Sequence, residues 1–159
     1  MKPILVIGLG NPLMGDDGIG WHVAEGLACH PELPPEVEAI GGGTDLLRLA
    51  GEIEGRTAVV VVDAIQDEGE IGEISVFEDL SGLEERQDHA HHLSAAQAIG
   101  LLRMVTRARF RLLCISVHGA RIGGGLSPEL AGRVPAILDR VIQEATKELA
   151  PVLCRSSAT

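Results

Sequence analysis

Four consecutive valines, Val59 to Val62, follow Thr57 and Ala58 and run directly into Asp63. A continuous β-branched run has no polar face. As a strand it needs cover on both sides, which is the situation of a central strand in a parallel sheet flanked by helices. The remaining side chains agree: Trp21, Phe77 and Phe110 are the whole aromatic inventory, 2% of the chain, so Val, Ile, Leu and Ala must fill the core. With 159 residues and 45% hydrophobic content the chain suffices for a single domain around one sizeable core.

Apolar runs and helical patterns alternate along the chain, the signature of stacked β-α units. Ile4 to Gly8 reads as a first strand, followed by a Gly/Pro turn and a helix from about Gly18 to Cys29. Val37 to Gly41 reads as a second strand. Thr44 and Asp45 then offer N-cap chemistry to a short helix through Ala50, with Gly51 and Gly55 as breakers. Beyond the valine strand, Ile71 to Phe77 alternates and is flanked by acids, which suits a strand nearer the sheet edge. Helical spacing returns from Leu93 to Val105, and Arg111 to Val117 is a further strand. Ser127-Pro128 with Glu129 opens a last helix, whose apolar face runs from Leu130 to Ala145. The expected fold is a three-layer α/β/α domain with a mainly parallel twisted sheet of about five strands, spanning residues 1–149, with 150–159 as a disordered tail.

Charge narrows the partners. The chain carries 23 acidic against 13 basic side chains, a formal charge of −10, so a nucleic-acid backbone would meet net repulsion. The one candidate basic patch, Arg103, Arg107, Arg109 and Arg111, reads as solvated arginines at a helix end and a strand start, an ordinary place for cations. Three cysteines, Cys29, Cys114 and Cys154, lie far apart with no CxxC spacing, which suits a reducing compartment and offers no thiolate metal site. The apolar stretch from Ile4 to Leu9 is too short for a signal-peptide core or a membrane span. The expectation is a soluble cytoplasmic protein with no nucleic-acid partner and no membrane insertion, its oligomeric state left open.

Three acid or histidine groups fall at the C-terminal end of an expected strand or in the loop after it: Asp16-Asp17, Asp63, and His89-Ala90-His91-His92. In an open parallel sheet those ends converge on one edge, so residues distant in sequence can form one site. Asp63 is the most informative, because a carboxylate closing a valine run lies at the margin of the core and needs a partner. A turn aspartate bonded to backbone N–H groups is the plainer explanation. One member of the Asp16-Asp17 pair can N-cap the helix that follows, leaving the other to point at the site, where nearby like charge favours a bound cation. A lone histidine would be a solvated loop residue, but three within four positions, together with carboxylates, make a mixed N/O site suited to Zn, Ni, Co or Fe. Such a metal, with an open position, could polarise a carbonyl or acidify its water. His22 and Cys114 are read as structural.

The turn Gly8-Leu9-Gly10-Asn11-Pro12 invites two comparisons that fail. It lacks the third glycine of a dinucleotide fingerprint, and Asp16-Asp17 stand where a pyrophosphate would approach. It resembles peptidyl-tRNA hydrolase in those five residues, but the Thr-Arg-His-Asn-like stretch that should follow is absent and the net charge opposes tRNA. The longer run Gly8-Leu9-Gly10-Asn11-Pro12-Leu13-Met14-Gly15-Asp16-Asp17-Gly18-Ile19-Gly20 resembles the opening signature of the [NiFe] hydrogenase maturation endopeptidases. Gly42-Gly43-Thr44, Val62-Asp63-Ala64, a histidine before the long helix and Gly125-Leu126-Ser127-Pro128 extend the resemblance over roughly residues 3 to 145.

The resemblance implies an enzyme that removes a C-terminal extension from a hydrogenase large-subunit precursor once nickel is inserted. It implies a metal site of Asp17, Asp63 and His91, with His92 or His89 as the alternative histidine. The nickel would be supplied by the precursor rather than held as a resident cofactor, with zinc or cadmium as stand-ins in vitro. Water would be activated either by the metal or by Asp17 or Asp63 acting as in an aspartic peptidase. A nickel-binding chaperone or sensor using the same ligands is the alternative. Gly123-Gly124-Gly125 and Ser116-Val117-His118 depart from the family pattern, and bear on substrate preference more than on reaction class.

Overall fold

A computed structural model describes residues 1–81 and 94–150 of the chain. Five strands, β1 (Ile4–Leu9), β2 (Val37–Gly43), β3 (Ala58–Gln66), β4 (Ile74–Phe77) and β5 (Arg109–Val117), form one sheet in the order β2-β1-β3-β5-β4. All neighbours are parallel except β4, which runs antiparallel along β5 at the edge. The valine strand is the middle one, as its lack of a polar face requires. Val60 and Val62 enter one apolar cluster, while Val59 and Val61 enter the other. Side chains alternate across a strand, so a run without polar residues serves two cores at once.

Helices α1 (Ile19–Ala28) and α4 (Pro128–Lys147) cover the first face through Ile19, Val23 and Leu27, and through Leu130, Ile137, Val141 and Ala145. The second face is covered by α3 (Ala95–Val105) through Ala96, Ile99 and Leu102, with Ile53 of the short α2 (Ala50–Ile53) beside it. The architecture is therefore the expected three-layer α/β/α fold. Each fully buried aliphatic side chain contributes roughly 1.5–3 kcal/mol, so the two faces together dominate the favourable side of folding.

Local differences have local causes. The segment expected as a helix ending at Ala50 is a 3-10 turn, Leu46–Leu49, capped by Asp45 through the Leu47 N–H at 3.1 Å, and it continues into α2 as far as Ile53. Gly51 lies inside α2 and does not break it; Gly55, at φ 80°, ends it. The edge strand starts at Ile74, because Gly72 turns at φ 82° and donates its N–H to Ser116 before pairing begins. Helix α3 begins at a reciprocal capping box in which Ser94 accepts from Gln97 N–H and the Gln97 side chain accepts from Ser94 N–H.

Of the arginine cluster, Arg103, Arg107 and Arg109 are exposed as expected, whereas Arg111 is drawn into an ion-pair network. Arg111 lies against Glu144 and Glu148 of the C-terminal segment, and against Glu78; Arg109 binds Glu148 through two nitrogens. Arg140 and Lys147 reach the same Glu144, whose side chain is 1% exposed. Arg103 donates to the Glu78 carbonyl. These contacts tie the start of β5 to the end of α4. Among the described residues no helix is long and apolar enough to cross a membrane.

Candidate active site

Backbone register shows where a crevice opens. β1 pairs with β3 from Ile4↔Ala58 to Gly8↔Val62 and no further, whereas β3 stays paired with β5 through Gln66↔Val117. Asp63 is thus the first β3 residue past the end of the β1 ladder, within the strand rather than closing it. The chain leaves β1 through α1 on one face of the sheet and reaches β5 through α3 on the other. Such a switch point is where open α/β sheets bind ligands.

Glycines bring the other acid to it. A Cβ at Gly8 would lie 1.8 Å from the Gly20 carbonyl oxygen, and one at Gly20 would lie 2.2 Å from the Leu9 oxygen and 2.5 Å from the Val62 oxygen. Only bare backbone lets the first turn of α1 sit directly on β1 and β3. At Gly10, with φ 124°, a Cβ would meet the Asp17 carbonyl oxygen at 2.1 Å. The chain therefore folds back through the 3-10 turn Gly15–Gly18 and places Asp17 over the end of β3. The Asp17 carboxylate accepts from Asn11 N–H at 3.4 Å, and its charge acts on Asp63.

The adjacent acids divide their work differently from expectation. Neither caps α1, whose N-cap is Gly18 without a side-chain bond. Asp16 instead accepts from the N–H of Ser127 at 2.6 Å, joining the turn to the start of α4, while Ser127 caps α4 through Leu130 N–H. This contact spans 111 positions and has no local sequence signal.

Asp63 carries the unusual electrostatics. Burial pushes its carboxyl up, the N–H of Ala64 donating at 2.9 Å pulls it down, and the negative charge of Asp17 pushes it up again, leaving a pKa of about 7. Burial and the nearby Asp63 and Asp67 charges push the Cys114 thiol, opposite Asp63 in the register, to about 12. It is no nucleophile, in keeping with the structural reading. Asp67, a residue the sequence did not single out, accepts from Ser116 Oγ at 3.2 Å and from Gly69 N–H at 2.9 Å, and His118 Nε2 lies 2.9 Å from the Gly69 carbonyl.

The structure thus brings Asp17 and Asp63 together. His89, His91 and His92 lie outside the described residues. Two apposed carboxylates, one of them holding its proton to neutrality, suit either a divalent cation or a proton relay. Fold and site together place a pair of aspartates at the C-terminal end of a mainly parallel α/β sheet, the candidate site of an α/β protein.

Comparison with known proteins specifies the class. The hydrogenase maturation protease family model matches residues 21–144, and the chain belongs to that family. It is 28% identical to the hydrogenase 2 maturation protease of Escherichia coli over 144 residues, 87% of this chain and 88% of that protein. It is 30% identical to the hydrogenase expression/formation protein HupD of Rhodobacter capsulatus, over 92% of this chain and 70% of the relative. The fold superposes on the [NiFe] hydrogenase maturation protease HycI of Thermococcus kodakarensis with a TM-score of 0.75 at 27% identity, covering 89% and 91% of the two chains. The hydrogenase maturating endopeptidase HybD of E. coli gives a TM-score of 0.75 at 25% identity, covering 91% and 92%.

Proposed function

We propose that this hydrogenase maturation protease is a nickel-dependent endopeptidase that removes the C-terminal extension of a [NiFe] hydrogenase large-subunit precursor after nickel has been inserted. The observation that carries the reading is Asp63, a carboxylate at the mouth of the sheet with a pKa of about 7 and Asp17 beside it. A group that ionises near neutrality can both take a proton from an attacking water and return it to a leaving amine. Asp17 and Asp63, completed by His91 or by its neighbours His92 or His89, would hold the metal carried by the precursor. A nickel ion there supplies Lewis-acid polarisation of the scissile carbonyl, and zinc or cadmium would serve in its place in vitro.

The residues' own contribution follows from their placement. Asp63 accepts the water proton as hydroxide adds to the peptide carbonyl; the C–N bond then breaks and the same proton passes to the departing nitrogen. Asp17, positioned by Asn11 N–H, favours the cationic partner. Among the described residues Cys29 and Cys114 are free thiols, in keeping with a cytoplasmic setting.

Mass spectrometry of a nickel-loaded precursor before and after incubation tests the reading. Wild type shortens the precursor, whereas Asp17→Asn, Asp63→Asn and His91→Ala leave it intact. Normal cleavage by all three variants removes the site assignment. Metal binding without shortening by wild type replaces the enzyme with a nickel chaperone or sensor.

A further inference from the structure

The loop between β5 and α4 is fastened to the turn that carries the aspartates. Gly123 N–H donates to the Leu13 carbonyl at 2.8 Å, and Ser127 N–H donates to Asp16 at 2.6 Å. Gly15, at φ 59°, approaches so closely that a Cβ there would lie 3.1 Å from the Arg121 carbonyl oxygen. This fastening brings two large aliphatic residues to one rim. Leu13, four positions before Asp17, is 72% exposed, and Ile122, next to Gly123, is 90% exposed. Neither joins either core cluster.

Single exposed aliphatic side chains are ordinary on protein surfaces, but here two lie on segments fastened to each other through main chain, next to the turn that carries Asp17. Next to them Gly123, Gly124 and Gly125 have φ values of 80°, 85° and 65°, and a Cβ built on any of the three would meet nothing within 4 Å. With the Gly123 N–H engaged by Leu13, the main chain of Gly124 and Gly125 faces open space alongside the pair. Apolar contacts for side chains combined with accessible backbone for main-chain hydrogen bonds are what an extended polypeptide requires.

We propose that Leu13 and Ile122 form the docking rim for the precursor polypeptide, taking an apolar side chain of the segment that enters the Asp17–Asp63 crevice beside the glycine strip. The identity of the occupant rests on the endopeptidase reading; the rim's adjacency to the crevice does not. Continuity with the turn that carries Asp17 selects a polypeptide substrate over a second copy of this chain, which would cover that turn.

Interferometry with the full chain and purified nickel-loaded large-subunit precursor tests the rim. Leu13→Ser with Ile122→Ser raises Kd by about tenfold, as loss of central apolar contacts does. Leu13→Ile with Ile122→Leu stays within about twofold of wild type, because apolar volume is conserved. Met104→Ser, on an 81% exposed residue near the C-terminal end of α3, serves as the control and changes nothing. An unchanged Kd in the double serine variant overturns the proposal, as does the absence of measurable precursor binding by wild type. So does unchanged precursor binding with loss of self-association on sedimentation, which would assign the pair to a second copy. Mass analysis of the same samples separates the two readings: wild type that binds without cutting sinks the endopeptidase and leaves the rim standing, whereas wild type that cuts while the double serine variant keeps its KM and Kd sinks the rim alone.

Discussion

At the scale of single residues, Asp63 trades stability for chemistry. Its carboxyl moves from an ordinary 3.8 to about 7 on folding, and each unit of such a shift corresponds to about 1.4 kcal/mol. The folded chain binds the proton more tightly than the unfolded one across that interval, so its stability falls as pH rises from about 4 to about 7 and levels off above. Asp63→Asn removes the ionisation. In metal-free protein at about pH 8 the variant should melt at least about 3 °C above wild type, and the difference should close as the pH is lowered toward 4. Equal Tm values at every pH would show that the carboxylate carries no penalty. That Asp63 needs a partner was legible from a charge ending a valine run. Why it stands at the mouth was not, because the cause is the early end of the β1 ladder at Gly8↔Val62, a matter of pairing between separate segments.

At the scale of elements, α4 begins where two kinds of information meet. Ser127 at the cap and Pro128 in the first turn are local and readable. The carboxylate of Asp16 on the Ser127 N–H is neither, since it arrives from the far end of the chain. A hydrogen bond to a charged group contributes about 1.5–3 kcal/mol, and here it also holds the turn that presents Asp17. Asp16→Ala should therefore lower urea-unfolding stability by about 1–3 kcal/mol and slow single-turnover cleavage, with Asp16→Asn recovering most of both. Cleavage at the wild-type rate in Asp16→Ala would confine Asp16 to a stabilising role. The signature glycines were visible as a motif, and the structure supplies their reason: Gly8 and Gly20 touch backbone to backbone, a contact no propensity scale encodes. The Ser94 and Gln97 capping box, by contrast, was present in the local sequence at the standard spacing.

At the scale of the whole molecule, the two ends of the sheet do different things. Toward the C-terminal end of the sheet lie Asp17, Asp63 and the open rim; near the start of β5, Glu144 gathers Arg111, Arg140 and Lys147, and Glu148 gathers Arg109 and Arg111. Burial pushes Glu144 up, but the Lys147 hydrogen bond and the charges of Lys147, Arg140 and Arg111 outweigh it and hold the carboxyl below its ordinary 4.5. A carboxylate depressed in the folded state stabilises above its unfolded pKa, and that contribution disappears as pH falls through the folded value. Glu144→Gln should thus lower stability in urea unfolding at neutral pH, with the gap from wild type closing as pH falls below the ordinary 4.5. A gap that persists in acid would place the loss in packing instead of charge. Nothing in the sequence signals that Arg111 departs from its exposed neighbours, because its carboxylate partners Glu144 and Glu148 sit more than thirty positions away and no local pattern announces the pairing. The early end of the β1 ladder has a mechanical consequence as well. From Asp63 to Gln66, β3 is secured along one side only and projects with β5 as a cantilever. Pairing therefore constrains the Asp63 end of β3 less than Val59 to Val62, which are anchored on both sides, so backbone amides from Asp63 to Gln66 should exchange with solvent ahead of those of the valine run.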